Sequence, residues 1–126
     1  MIWQLALQMR AGQRPRVFEF GEQYRDFIHV KDVVEANLLA AQDAPSGVYN
    51  VCTGKKANFN EVINALNTVL KTFLMPEYFK NPYPFYQNET LGDPGRAEKA
   101  FGFQARFSVP EGIRDYLGSP EVFAKV

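Results

Sequence analysis

This 126-residue chain has one cysteine, one histidine, no net charge and no long apolar run, and each of these features excludes a class of protein. The single cysteine, Cys52, allows no internal disulfide and is typical of a reducing compartment. One histidine and one cysteine cannot form a tetrahedral metal site, and no nucleophile accompanies His29. The apolar runs are too short to span a membrane, and the N-terminus lacks the regions of a signal peptide. We therefore predict a cytoplasmic protein that binds neither metal nor membrane.

Charge and aromatic content indicate which kinds of partner this chain is expected to bind. Fourteen basic residues balance 14 acidic ones, and no basic patch is present, so nucleic acid is not an expected partner. The chain is long enough for one domain with a real core. It has 11 Phe and 6 Tyr, and aromatic residues in excess of core needs favour a ligand-binding or subunit surface.

Hydrophobic spacing and capping patterns predict the secondary structure. Helical spacing and capping residues predict helices over 2–11, 33–42, 59–73, 94–101 and 110–117. The capping boxes are Asp32 with Glu35, Asn58 with Glu61, and Ser108 with Glu111, while Asp93 caps the fourth helix. Strand patterns cover Val17–Phe20, Phe27–Val30, Gly47–Cys52 and a short piece at Pro76–Phe79, and an ordered loop covers Asn81–Asn88.

Alternating strands and helices predict an α/β fold with few strands and about four to five helices. We expect one domain over residues 1–118 and a tail over 119–126. An open parallel sheet needs cover on both faces. With so few elements, this chain would expose apolar faces unless something else packs on them.

Few side chains suggest chemistry. Arg25 can donate a planar fork to a phosphate or carboxylate, or it can form a surface ion pair with Asp26 or Glu22. His29 is more simply a satisfied, partly buried histidine than a catalytic one, and Cys52 a small core residue on a strand. The aromatic loop 83–87 either stacks on a ligand or covers the domain's own core.

Three segments carry a resemblance to a known family. They are Arg25-Asp26-Phe27-Ile28-His29-Val30-Lys31-Asp32-Val33, the run Gly47-Val48-Tyr49-Asn50-Val51-Cys52-Thr53-Gly54, and Asp93 followed by Lys99-Ala100-Phe101-Gly102-Phe103. Together they resemble the C-terminal, substrate-binding part of the extended short-chain dehydrogenases, the NAD(P)-dependent nucleotide-sugar epimerases and dehydratases. Val17-Phe18-Glu19 and Tyr86-Gln87 with Thr90 and Asp93 resemble the ADP-glyceromanno-heptose 6-epimerase branch.

The resemblance implies a Rossmann-like fold that lacks its N-terminal dinucleotide-binding part. The residues it places at a nucleotide sugar are Phe18, Glu19, Phe20, Gly21, Arg25 and Tyr86. No Gly-x-x-Gly-x-x-Gly occurs, since Glu98 follows Gly92 and Gly95 at the third position, and no tyrosine has a lysine four residues later. We therefore assign this chain no catalytic and no cofactor-binding residue, although the complete family enzymes use NADP or NAD.

Two functions follow. In the first, the chain is the nucleotide-sugar-binding portion of an epimerase, with ADP-heptose as the ligand and no activity alone. It would then work with a missing N-terminal half or as a homo-oligomer. In the second, it is a truncated, non-catalytic binding or assembly module that covers its exposed faces by self-association. The family is enzymatic, but whether this chain is itself an enzyme stays open.

Overall fold

The helices expected from periodicity are present in the computed structural model, which describes residues 1–118; the predicted tail lies outside the described residues. The described residues form five helices: α1 (Ile2–Arg10), α2 (Val30–Asp43), α3 (Phe59–Leu70), α4 (Gly95–Phe101) and α5 (Val109–Gly118). They also form four strands: β1 (Arg16–Phe18), β2 (Tyr24–Asp26), β3 (Lys56–Asn58) and β4 (Glu77–Phe79). The predicted α/β class, with few strands and about five helices, is confirmed. No described helix has the length and hydropathy needed to cross a membrane.

The strands of this part of the chain pair in two small sheets instead of one open sheet. β1 runs parallel to β4, with Phe18 opposite Phe79. β2 runs antiparallel to β3, with Tyr24 opposite Asn58, and Tyr24 also forms an isolated bridge with Glu89. In each sheet, the two strands lie far apart in the sequence, so each pairing holds two distant segments of the chain together.

The core has two parts, and helix α3 is the centre of the larger one. Its inner face buries Val62, Ile63 and Leu66 almost completely, between α1 and α5. Burying a side chain of this size contributes about 1.5–3 kcal/mol. The smaller cluster joins α2 to α4 through Ala36, Ala97, Phe101 and Phe103.

The capping box predicted for α3 is confirmed, but the helix ends earlier than its apolar pattern suggests. Asn58 Oδ1 accepts from the Glu61 amide at 2.8 Å, and Glu61 Oε2 accepts from the Asn58 amide at 2.6 Å. Lys71 then takes a left-handed conformation with φ 55° and ends the helix. The predicted extension to Phe73 is wrong, and that side chain is almost fully exposed. Of the other predicted caps, Ser108 forms its box with Glu111. The prediction for α4 is wrong by one residue, since the helix begins at Gly95 with Pro94 as its N-cap, although Asp93 Oδ1 accepts from the Gly95 amide at 2.8 Å.

The prediction that Asp32 caps α2 is wrong. The helix begins three residues earlier, and its N-cap is His29, whose Nδ1 accepts from the Lys31 amide at 3.2 Å. Asp32 is instead fully buried in the first turn, where its Oδ2 accepts from the Phe107 amide at 3.2 Å. The side chain that resembled a cap therefore anchors the segment before α5, an attachment that spans 75 residues.

Two predicted strands are also wrong. The extended run expected at Phe27–Val30 is displaced, since β2 ends at Asp26 and Val30 already lies in α2. Gly47–Cys52 has strand-like alternation but forms no ladder with any residue of 1–118. Cys52 consequently lies half-buried in an irregular segment and not on a strand. The first strand also stops short of Phe20, because Glu19 turns the chain with φ 50°.

His29 is expected to stabilise the fold, since it combines a helix cap with ring packing. Its ring stacks on Phe107 at 4.3 Å between centroids, and its side chain is 8% exposed. We expect His29→Ala to lower the free energy of unfolding by about 2 kcal/mol, from the lost cap and the lost ring contact. Asparagine supplies a capping oxygen in place of Nδ1 but no ring, so His29→Asn should recover about half of that loss in urea denaturation. Equal stability of the wild type and the alanine variant would contradict the capping role.

Candidate functional site

A cavity of about 420 Å³ brings together three of the residues implicated by sequence: Phe18, Arg25 and Tyr86. Phe18 ends β1, Arg25 is the central residue of β2, and Tyr86 comes from the loop after β4. The β1–β4 pairing places Phe79 beside Phe18, and the Tyr24–Glu89 bridge holds the far end of the loop against β2. The cavity therefore depends on both small sheets.

Arg25 carries the charge of this cavity. Its guanidinium donates from Nη1 to the Tyr24 carbonyl and from Nη2 to the Gln87 carbonyl, both at 2.7 Å. The guanidinium carbon also lies 5.1 Å from the centroid of the Tyr86 ring. It lies 5.9 Å from the centroid of the Phe59 ring, close to the upper limit for a cation–π contact. The ion pair with Asp26 or Glu22 that sequence left open is not formed within residues 1–118. The guanidinium is thus half-buried, held in place by neutral acceptors, and has N–H donors to spare.

Aromatic rings form one wall of the same cavity. Phe18 meets Phe79 at 4.8 Å and Tyr86 at 5.3 Å between centroids, in edge-to-face arrangements. Tyr83 approaches Phe18 in the same way at 5.8 Å. Flat rings beside a cation can receive a base or a sugar face while the cation receives a phosphate.

The other three candidates, Glu19, Phe20 and Gly21, lie beside the cavity. Glu19 Oε1 accepts from the Asn81 amide at 2.8 Å and so fixes the start of the aromatic loop. Phe20 is 67% exposed, and its ring contacts the ring of Tyr78.

Gly21 is buried at the N-terminus of α3. Its carbonyl accepts from the amides of Phe59 and Asn60 at 3.0 and 3.3 Å. Its φ is +70°, and an added Cβ would lie 2.4 Å from Asn60 Oδ1, so glycine is required here by the backbone. The substrate-binding role of all six residues stays a prediction.

Sequence reasoning did not single out the other residues that line the cavity, and two of these bear on its chemistry. Arg16 and Phe79 both line it, and the Arg16 guanidinium lies 4.6 Å from the Phe79 ring centroid. Arg16 is paired with Glu77 at 3.1 Å, so Arg25 is the less compensated cation. The parallel register of β1 and β4 brings these residues together, and no local sequence signal encodes that register.

A larger cavity of about 620 Å³ lies between α3, α5 and the segment before α5, and two of the four cations that line it are paired within residues 1–118. Arg106 faces Asp32 and Glu35, and Lys56 pairs with Glu89 at 2.9 Å. The pKa of Glu111 is lowered by hydrogen bonds from Ser108, with smaller contributions from nearby Arg114 and Lys55. We take the smaller cavity at Arg25 as the candidate site because it contains three of the residues implicated by sequence.

Three of the five described helices have N-termini that do not fit the pyrophosphate of a dinucleotide. A pyrophosphate site needs glycines where a loop enters a helix with free amides. Here side chains of His29, Asn58 and Ser108 already accept from the first-turn amides of α2, α3 and α5. Residues 1–118 also hold no group of three metal-ligating side chains. Burial and the neighbouring Asp26 raise the pKa of the Cys52 thiol, which makes it a poor nucleophile.

Comparison with known proteins shows which family this α/β fold is similar to. Residues 1–52 match the model of the NAD dependent epimerase/dehydratase family. The chain is similar to the ADP-L-glycero-D-manno-heptose-6-epimerase of Helicobacter pylori, with 34% identity and a TM-score of 0.84, over 98% of this chain and 37% of that one. It is also similar to the UDP-glucose 4-epimerase of Thermotoga maritima, with 27% identity and a TM-score of 0.86, over 98% and 39%.

A third structure, the UDP-N-acetylglucosamine 4-epimerase of Methanobrevibacter ruminantium, is 28% identical with a TM-score of 0.83, over 91% of this chain and 37% of that one. These matches confirm that the chain has the fold of nucleotide-sugar epimerases of the extended short-chain dehydrogenase type. The resemblance to the ADP-heptose epimerase branch is confirmed by the Helicobacter match. The chain spans about two-fifths of the length of these proteins.

Proposed function

We propose that this chain binds a nucleotide sugar in the cavity at Arg25, as the substrate-binding part of an NAD(P)-dependent epimerase. The observation that carries the proposal is a half-buried guanidinium without a carboxylate partner among the described residues, set beside aromatic rings in a cavity of about 420 Å³. The planar fork suits a diphosphate, and the rings of Phe18 and Tyr86 suit the base or sugar. The Thermotoga and Methanobrevibacter structures were solved with UDP-glucose and UDP-N-acetylmuramic acid, which supports this ligand class.

We further propose ADP-heptose as the ligand, supported by 34% identity to the Helicobacter enzyme over almost the whole chain. Calorimetric titration of the 126-residue chain with ADP-heptose, UDP-glucose and dTDP-glucose tests this directly. We expect ADP-heptose to bind most tightly. Tighter binding of UDP-glucose would contradict the base assignment, while negligible heat with all three would contradict the site.

The complete epimerase reaction needs NADP or NAD to accept and return a hydride. The sequence has no glycine-rich dinucleotide motif, which supports a part that binds substrate and not cofactor. What these residues can do is hold and orient the nucleotide part of the substrate. We expect no epimerase turnover from the chain alone when ADP-heptose and NADP are supplied. Measurable conversion, with tight NADP binding, would overturn this assignment.

The second function, a self-associating module, is favoured by one observation. On α2, Val30, Val34 and Leu38 are 61%, 53% and 57% exposed. Residues four apart share a helix face, so these side chains form an uncovered apolar stripe.

A further inference from the structure

Arg16 and Glu77 form a donor–acceptor pair beside the aromatic wall of the candidate site. The parallel register of β1 and β4 places Arg16 opposite Glu77. Two residues further along each strand, Phe18 lies opposite Phe79. Alternate residues of a strand share a face, so the charged pair and the two rings lie on one face of this small sheet. Arg16, Phe18 and Phe79 all line the cavity of about 420 Å³, which therefore has a polar pair next to its rings.

The pair is neutral as a whole and keeps unused hydrogen-bonding groups. Arg16 Nε donates to Glu77 Oε1 at 3.1 Å. Within residues 1–118, neither Nη atom of Arg16 nor Oε2 of Glu77 has a hydrogen-bond partner. The Arg16 guanidinium also lies against the Phe79 ring, 4.6 Å from its centroid. The sheet thus offers a donor and an acceptor close together, without excess charge.

The two arginines of the cavity differ in charge compensation. The Arg25 side chain donates only to backbone carbonyls, which suits an anion such as a phosphate. Arg16 is paired with a carboxylate, which would repel an anion and suits a neutral polar group. Contacts between rings join the two arginines, from Phe79 through Phe18 to Tyr86, with centroid separations of 4.8 and 5.3 Å. Arg16 contacts the first ring and Arg25 the last. A nucleotide has a matching order, with a neutral base at one end and phosphates at the other.

We propose that the Arg16–Glu77 pair binds the polar edge of the nucleobase, an inference that rests on the nucleotide-sugar site proposed above. Adenine carries a 6-amino donor beside a ring-nitrogen acceptor, and an Asn or Gln side chain binds this edge with one acceptor and one donor. Here Glu77 supplies the acceptor and the Arg16 guanidinium supplies the donor. Uracil also presents a donor beside an acceptor, so the pair adds affinity for the base and does not by itself select adenine.

Calorimetry with two ligands that differ in one donor tests the pair. They are ADP and purine riboside 5′-diphosphate, in which a hydrogen replaces the 6-amino group of the base. We expect the wild-type chain to bind ADP about tenfold more tightly, the value of one hydrogen bond to a charged acceptor. Glu77→Met lacks the carboxylate, so the two ligands should bind to it within about twofold of each other. Both ligands carry the same charge, so altered charge alone cannot produce this result.

Two further variants complete the series. Arg16→Met should weaken both ligands by about tenfold, because both keep the ring nitrogen that the guanidinium binds. Glu35→Met is the matched control, since Glu35 is also an exposed glutamate beside an arginine, 3.8 Å from Arg106, but does not line the cavity. It should keep the wild-type preference for ADP. Exposed ion pairs contribute little to stability, so all three variants should unfold near the wild-type temperature.

The possible outcomes separate this inference from the site on which it rests. Equal affinity of the wild type for ADP and the purine analogue would overturn the inference and leave the nucleotide-sugar site in place. A preference for ADP that persists in Glu77→Met would do the same. If Glu77→Met lost affinity for ADP-heptose but not for ADP, the pair would bind the sugar and the base assignment would be wrong. No heat from the wild type with ADP and with ADP-heptose would contradict the site, and the inference with it.

Discussion

Replacing Asp26 with alanine is expected to lower the free energy of unfolding by about 3 kcal/mol and the melting temperature by roughly 10 °C. The carboxylate is an acceptor for two separate parts of the chain, the turn at Thr53–Gly54 and Gly92. Oδ1 accepts from the Thr53 amide at 2.9 Å and from its hydroxyl at 2.6 Å. Oδ2 accepts from the Gly54 amide at 2.9 Å and, at the limit, from the Gly92 amide at 3.4 Å.

These bonds explain the size of the expected effect. Without the carboxylate, the amides of Thr53 and Gly54 lose a charged acceptor, and a hydrogen bond to a charged group contributes about 1.5–3 kcal/mol. Asp26 is half-buried, so water replaces part of that loss. The turn at Thr53–Gly54 would also lose its side-chain attachment to β2, while the backbone ladder between β2 and β3 remains.

Asp26→Asn gives a graded comparison. The asparagine amide keeps one oxygen for Thr53 but turns its NH₂ group toward the Gly54 amide. We therefore expect Asp26→Asn to lower the free energy of unfolding by about half as much as Asp26→Ala does. Glu22→Ala removes an exposed carboxylate nearby and should change stability by no more than about 0.5 kcal/mol. Thermal unfolding of the three variants measures the series. If Asp26→Ala is no less stable than Glu22→Ala, Asp26 does not hold these loops.

Replacing Arg25 with alanine is expected to weaken ADP-heptose binding by about tenfold to a hundredfold, the value of one or two charge-assisted hydrogen bonds. Arg25→Lys keeps the charge but loses the planar fork and the stacking on Tyr86. We therefore expect the lysine variant to bind with intermediate affinity. Calorimetry gives the affinities, and added salt should reduce the difference between alanine and lysine.

Arg14 provides a matched control. Its guanidinium donates to the carbonyls of Met75 and Pro76 at 3.0 and 2.6 Å, as Arg25 does to those of Tyr24 and Gln87. Arg14 does not line the cavity. Arg14→Ala should lose similar stability while binding ADP-heptose normally. Equal affinities for the two alanine variants would show that Arg25 acts on the fold and not on the ligand.

The sequence predicted the helices well because their signals are local. The apolar spacing of α3 and the Asn58–Glu61 box lie within one stretch of chain, and both are confirmed. Asp32 was misassigned because its spacing to Glu35 imitates a capping box. The Phe107 amide, 75 residues away, decides its role instead.

Strands were harder to predict, because a strand forms only when it pairs with another strand. Gly47–Cys52 has the pattern but no ladder within the described residues, whereas Lys56–Asn58 pairs with β2 without an obvious pattern.

The candidate site was predictable only in part, because some of its contacts also depend on pairing between distant segments. Motif resemblance singled out Phe18, Arg25 and Tyr86, which the cavity brings together. It could not reveal that Arg25 binds the Gln87 carbonyl or that Phe79 faces Phe18, since both depend on pairing across about 60 residues.

The contact between Arg25 and Gln87 has a thermodynamic consequence. A phosphate that approaches the fork along the Nη2 edge competes with a carbonyl that already accepts at 2.7 Å. Binding is then an exchange of acceptors, so the heat released is smaller than for a guanidinium in water. The displaced carbonyl belongs to the loop that also carries Tyr86, so the loop must shift as the ligand arrives. On this approach, affinity includes the cost of reordering a loop, and we expect substitutions at loop positions that never touch the ligand to alter it. A phosphate that uses only the spare N–H donors carries no such cost.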